Sequence, residues 1–152
     1  MKTYKVLIVD DEEPARGLLI MHVSKVEELE LVGACENAID AKKMLDNHSI
    51  DILLLDIQMD DITGLDLLRM LKHQPATILT TTYSEYALEG YELDVIDYLV
   101  KPVSFERFEQ ALNKAISWVS VRDNLDASKQ LIKEEYLFVY SCLLYTSDAA
   151  DE

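Results

Sequence analysis

Short aliphatic runs that stop at carboxylates constrain this chain more than any other feature. Val6-Leu7-Ile8-Val9 ends at Asp10-Asp11-Glu12-Glu13, and Ile52-Leu53-Leu54-Leu55 ends at Asp56. A continuous run of β-branched and aliphatic residues, as opposed to an alternating one, describes a strand buried on both faces. Such strands need helices on either side of their sheet, which leaves the acids at the strand ends as the place where the sheet meets solvent.

The segments between the runs supply those helices. Pro14 suits a first helical turn, where its missing N–H costs nothing, and Ala15, Leu18, Leu19, His22, Val23 and Val26 follow at helical spacing. Leu31 to Cys35 predicts a second strand and Ala38 to Asn47 a second helix with Ala41, Met44 and Leu45 inward. After Gly64, Leu65 to Leu71 reads as a third helix, and Pro75 precedes a β-branched fourth strand at Thr77 to Thr81. Glu85 to Tyr91 predicts a fourth helix and Val95 to Val100 a fifth strand, ended by Pro102. Ser104 can cap a last, long helix with Phe105, Phe108, Leu112, Ala115, Ile116 and Val119 on one face. Strands alternating with helices in this way predict an α/β fold with right-handed crossovers and a parallel, doubly wound sheet. Ligands of such folds bind beyond the carboxyl ends of the strands.

At 152 residues and 49% hydrophobic, the chain has the material for one domain with a core that needs no disulfides. A formal net charge of −15 excludes binding of nucleic acid or anionic lipid through the overall field. Cys35 and Cys142 show no paired spacing, which suits a reducing cytoplasm. The apolar run after Lys5 is too short for a signal peptide, and no stretch approaches the roughly 18 apolar residues of a membrane helix. No membrane partner is expected.

In a parallel sheet with the first and third strands adjacent, Asp10, Asp11 and Asp56 converge on one pocket. Crowded carboxylates need a cation, and an all-oxygen set with room for water matches Mg²⁺. An aspartate oxygen can attack phosphorus to form an acyl phosphate, with catalysis coming from alignment and from spreading the charge of the transferred oxygens. Thr81 ends the fourth strand with a hydroxyl and Lys101 ends the fifth with an ammonium, both suited to a phosphoryl group.

Taken together, Val9-Asp10-Asp11, Leu55-Asp56-Ile57-Gln58-Met59, Thr81 and Asp97-Tyr98-Leu99-Val100-Lys101-Pro102 resemble the receiver domains of bacterial two-component response regulators, over about Lys2 to Val119. The resemblance implies a five-stranded flavodoxin-like (βα)5 fold with strand order 2-1-3-4-5. It implies that Asp56 accepts a phosphoryl group from a sensor histidine kinase. Asp11, Asp56 and the Gln58 backbone carbonyl would hold Mg²⁺, Asp10 would support the metal through water, and Thr81 and Lys101 would bind the phosphate. It also implies a cis Lys101-Pro102 bond, credible because X–Pro alone makes cis accessible. Tyr98 takes the position of the aromatic that turns inward as Thr81 moves toward phosphate. On these terms the domain is a signalling phosphoacceptor and not an enzyme in the ordinary sense.

Two positions depart from the family pattern: Asp60 stands where proline is usual, and Thr82 where a small residue is usual. Asp60 adds charge near the pocket, and Thr82 narrows access to Asp56. The segment Tyr83-Ser84-Glu85-Tyr86-Ala87-Leu88-Glu89-Gly90-Tyr91 resembles the LytTR subclass, whose receivers precede a DNA-binding β domain. On that resemblance, residues 1–121 are the receiver, 122–135 a linker or an extension of the last helix, and 136–141 the start of a truncated LytTR domain. Any DNA contact would lie in that missing output domain. Residues 142–152, CLLYTSDAADE, resemble the translation of a transposon-end adapter used in sequencing libraries and are read as non-native.

Other readings of these residues remain open. A haloacid-dehalogenase-type phosphatase also forms an aspartyl phosphate with Mg²⁺, but needs a DxD motif that Asp56-Ile57-Gln58 lacks. A pseudo-receiver acting only as an interaction surface is the alternative, against which the intact Asp10, Asp11, Asp56, Thr81 and Lys101 count. The stripe from Phe105 to Val119 is chiefly core, and its continuation toward Leu125 and Leu131 leaves a homodimer open. His22, His48 and His73 share no metal-ligand spacing and receive helix-face or loop roles.

Overall fold

A computed structural model describes residues 2–82 and 93–131 of the chain, with 126–131 as helical backbone. Its elements in order are β1 (Tyr4–Val9), α1 (Glu13–Ser24), β2 (Leu29–Cys35), α2 (Ala38–Asn47), β3 (Ile52–Asp56), α3 (Gly64–Met70), β4 (Ala76–Thr81), β5 (Asp97–Val100) and α4 (Phe105–Leu131). The strands form one sheet in the order β2-β1-β3-β4-β5, with every neighbouring pair parallel. The compact unit containing the sheet ends at Val119, and the helical residues from Ser120 belong to a second unit.

Successive residues of the apolar strands serve opposite faces, which is why those strands carry no polar alternation. Val6, Ile8, Ile52, Leu54, Ile78 and Leu99 pack on one face with Leu19 and Val23 of α1 and with Phe108, Leu112 and Val119 of α4. Leu7, Val9, Leu53, Leu55 and Leu79 pack on the other face with Ala38 and Ala41 of α2 and Leu65, Leu67 and Leu68 of α3. All of these residues are buried.

Local signals set the helix starts. Pro14 occupies the first turn of α1. Asn37 Oδ1 accepts from Asp40 N at 2.8 Å at the start of α2, Thr63 Oγ1 accepts from Asp66 N at 3.1 Å, and Ser104 Oγ accepts from Arg107 N at 3.1 Å. Gly64 is required for a different reason: a Cβ there would collide with the backbone carbonyl of Asp56. Its N–H donates to Ile57 O at 2.7 Å, so α3 begins in backbone contact with the end of β3.

The second helix spans the residues expected of it, whereas other boundaries move. β2 starts at Leu29, ahead of the expected Leu31, because Tyr4 and Lys5 of β1 pair with Leu29 and Glu30. α3 starts at Gly64 and stops at Met70 instead of running from Leu65 to Leu71. β5 starts at Asp97, not Val95: a turn at Leu93 and Asp94, with Asp94 at φ 58, precedes it, and pairing with β4 begins at Ile78↔Asp97. The helix expected over Glu85 to Tyr91 lies outside the described residues, as do residues 136–141, read as the start of a LytTR domain, and residues 142–152.

Candidate functional site

Strand register assembles the pocket. Val9 of β1 pairs with Cys35 and with Leu55, so Asp10 leaves the sheet beside Asp56, the last residue of β3. Asp56 in turn pairs with Thr80, and Thr81 pairs with Val100, which brings Lys101 to the same edge. Lys101 N donates to Thr81 O at 2.8 Å, and the Lys101–Pro102 peptide is cis.

Carboxylate oxygens of Asp10, Asp11 and Asp56 lie within 4.8 Å of one another. Asp10 and Asp56 are buried and Asp11 is half-buried. Lys101 Nζ lies 3.0 Å from Asp10 Oδ2, 3.4 Å from Asp56 Oδ2 and 3.1 Å from Glu12 Oε1. The Lys101 ammonium is thus the cation facing the buried Asp10 Oδ2. The other oxygen, Asp10 Oδ1, accepts from Glu12 N at 2.9 Å, and Asp56 Oδ1 accepts from Gln58 N at 3.2 Å.

Burial together with the charge of Asp10 pushes the Asp56 carboxyl up to about 7, against the opposing pull of Lys101. Burial, Asp60 and Asp10 raise Asp11 as well. Burial opposes the charge on Lys101, but its contacts with Asp10 and Asp56 outweigh that and raise its pKa, so it stays an ammonium. The pocket thus holds more negative charge than one lysine relieves. Three convergent carboxylates, two of them buried, fit a hard divalent cation taking oxygen ligands.

Thr81 is buried at the end of β4 on the face that carries Leu79, and half-buried Tyr98, the partner of Leu79 across the β4–β5 pair, packs against the same cluster. Thr80 has a buried Oγ1 without a hydrogen-bond partner, and Thr82 is exposed and donates to Gln58 Oε1 at 3.4 Å. A cavity of about 570 Å³ opens between α1 and the β5–α4 loop, with Asp10, Thr80, Thr82 and Lys101 at its polar end.

Several contributors carry no motif. Glu12 completes the acids around Lys101, and Arg16 Nη1 donates to Asp10 O at 2.8 Å, holding the acidic loop against α1. Asp61 Oδ2 accepts from Ala38 N at 3.0 Å, tying the loop after Asp56 to the start of α2. Asp97 accepts from Arg107 at 3.0 and 2.9 Å and from Lys114 at 3.1 Å, contacts that outweigh its burial and lower its pKa.

The response regulator receiver domain model matches residues 6–113. The transcriptional regulatory protein BtsR of Escherichia coli strain K12 is 40% identical over 110 residues, which cover 71% of this chain and 46% of that protein. The sensory transduction protein LytT of Bacillus anthracis is 39% identical over 113 residues, covering 72% of this chain and 46% of that protein. The chain therefore spans about half the length of the curated relatives it matches. Among solved structures, the response regulatory domain of mrkE from Klebsiella pneumoniae superposes with TM-score 0.70 at 29% identity, covering 76% of this chain and 98% of that one. The response regulator TrrA from Thermotoga maritima, solved in complex with Mg(2+)-BeF, superposes with TM-score 0.64 at 32% identity, covering 76% and 99%. With the strand order, the acids at the strand ends and the family match over most of its length in agreement, this chain belongs to the response regulator receiver domain family.

Proposed function

We propose that the chain receives a phosphoryl group on Asp56 from a sensor histidine kinase and changes conformation to control an output. The observation that carries this reading is the Lys101 ammonium, held within 3.4 Å of Asp56 and 3.0 Å of Asp10 at one edge of the sheet. Asp11, Asp56 and the Gln58 carbonyl hold Mg²⁺ in this scheme, with Asp10 supporting it through water. Bound Mg²⁺ supplies charge neutralisation, screening the acids from the incoming anion and polarising its oxygens. An ionised Asp56 oxygen attacks phosphorus in line, the bond from phosphorus to the donor breaks, and the electron pair leaves with the donor. Lys101 and Thr81 take the transferred oxygens.

As Thr81 is drawn to the phosphoryl group, Tyr98 on the same face follows it inward. A shift of a two-state equilibrium from 1:99 to 99:1 takes about 5.5 kcal/mol, which new contacts from Thr81 and Lys101 to an anion can largely supply. Thr82, linked to Gln58, narrows the approach to Asp56, and Asp60 adds charge beside Asp11; both slow exchange of the phosphoryl group. The output is transcription, through a LytTR-type DNA-binding domain following the receiver, in the cytoplasm. Among the described residues no helix is long and apolar enough to cross a membrane. Residues 142–152 take no part in this function.

The test is phosphate-affinity gel mobility after incubation with acetyl phosphate. A shift that requires Mg²⁺ and is lost in Asp56→Asn supports the reading. A folded protein that never shifts, with either acetyl phosphate or a phosphorylated kinase, supports a phosphorylation-independent interaction module instead.

A further inference from the structure

His22 was assigned no role by its sequence neighbourhood, yet it is 5% exposed and makes a hydrogen bond far along the chain, from Nε2 to Val103 O at 2.8 Å. A carbonyl only accepts, so Nε2 carries the proton and Nδ1 is left as a buried atom without a hydrogen-bond partner. The ring is gripped by Phe105 and Phe108, with centroids 5.5 and 5.4 Å away. Packing alone needs no imidazole: an apolar side chain of similar size would fill the space without burying ring nitrogens, but would withdraw the Nε2 donor from the Val103 carbonyl.

Val103 lies two residues beyond Lys101, in the short loop joining β5 to α4. That loop is fixed at its start by Lys101 N donating to Thr81 O at 2.8 Å, and at its end by the Ser104 cap on α4. Pro102 between them has no N–H to donate. The His22 bond ties the middle of the loop to α1, the helix that begins in the acidic loop and whose Arg16 holds Asp10 O at 2.8 Å. One helix therefore grips both the acid Asp10 and the loop that presents Lys101.

We propose that His22 is a positioning residue for phosphoryl transfer, acting through Val103 to keep the Lys101 ammonium over Asp10 and Asp56. The inference rests on the proposed function of the pocket. It requires the Nε2 hydrogen bond and not merely the ring volume. Glutamine, whose amide nitrogen reaches about as far as Nε2, can replace it, and phenylalanine cannot.

The experiment compares His22→Phe, His22→Gln, Lys101→Gln and the His22→Phe/Lys101→Gln double variant. The rate of acetyl phosphate labelling at saturating Mg²⁺ is measured beside Mg²⁺ affinity and the NMR signal of the Lys101 ammonium. We expect His22→Phe to label between about tenfold and about a hundredfold more slowly, the range for a displaced catalytic group. Mg²⁺ affinity stays unchanged because the acids are untouched. His22→Gln should stay close to the parent rate, and His22→Phe should add nothing in the Lys101→Gln background. The ammonium signal, protected from exchange in the parent, should broaden in His22→Phe and persist in His22→Gln.

Equal losses in His22→Phe and His22→Gln, or a further full loss in the double variant, would overturn the inference in favour of simple packing. So would an unchanged Lys101 signal in His22→Phe. Should the parent itself fail to label, the proposed function fails, and the Lys101 signal alone decides whether His22 positions the lysine.

Discussion

The Lys101 ammonium stands 3.4 Å from Asp56 Oδ2, brought there by the pairing of β3, β4 and β5 and not by any nearness in sequence. It also contacts Asp10 and Glu12, and its side chain is only 11% exposed, so it is the cation that keeps an acid-rich edge of the sheet tolerable.

Replacing Lys101 with glutamine removes that charge while keeping most of the stem. Labelling of Asp56 by acetyl phosphate should slow by about 10²-fold or more, the scale for losing one preorganised electrostatic contact to a developing anion. Initial labelling rates at saturating Mg²⁺ measure it. A change of less than about threefold would mean that Lys101 balances the acids without touching the phosphoryl group.

Asp56, raised to about 7, links stability to pH. In the metal-free fold it keeps a proton that the unfolded chain releases near its ordinary pKa of 3.8, so stability is lost as pH climbs from about 4 to about 7. Asp56→Asn removes this loss. The variant should be more stable than the parent at pH 8 by about 4 kcal/mol and no more stable at pH 4, in EDTA. Urea denaturation at the two pH values reads the difference directly.

Mg²⁺ should stabilise the fold by mass action, by about 2.7 kcal/mol at a hundred times its dissociation constant. Asp11→Asn should abolish most of that gain, because it removes one of the three convergent carboxylates. Thermal unfolding with and without Mg²⁺ checks this, and an equal rise in Tm for parent and variant would place the ion elsewhere.

Gly64→Ala tests the backbone contact between α3 and β3. A methyl at this position meets the Asp56 carbonyl, so either the fold loses about 1–3 kcal/mol or the loop carrying Gln58 shifts. Both outcomes weaken Mg²⁺ binding relative to the parent. An unchanged affinity together with an unchanged Tm would show that the loop yields freely.

Much of this architecture was legible because each βα unit announces itself locally. Ile52 to Leu55 is apolar at every position since both sheet faces use it, and α2 follows from Ala41, Met44 and Leu45 at helical spacing. The start of β5 was not legible. Val95 and Ile96 are as β-branched as any strand residue, but they follow directly on the turn at Leu93 and Asp94, and although Ile96 N donates to Thr77 O at 2.8 Å the paired residues begin only at Asp97. Asp10, Asp11, Asp56 and Lys101 could be proposed together because each ends a strand. His22, Glu12, Asp61 and Arg107 could not, since their partners at Val103, Lys101, Ala38 and Asp97 are set by tertiary packing and leave no local pattern.

The most direct test of the central claim is to locate the modification. Protein treated with acetyl phosphate and Mg²⁺ is reduced with borohydride, which converts an aspartyl phosphate to homoserine, and its peptides are mapped by mass spectrometry. The account predicts homoserine at position 56 alone, formed only when Mg²⁺ is present. Homoserine at Asp10 or Asp11, or an unaltered Asp56 in folded protein with Mg²⁺ bound, would contradict it.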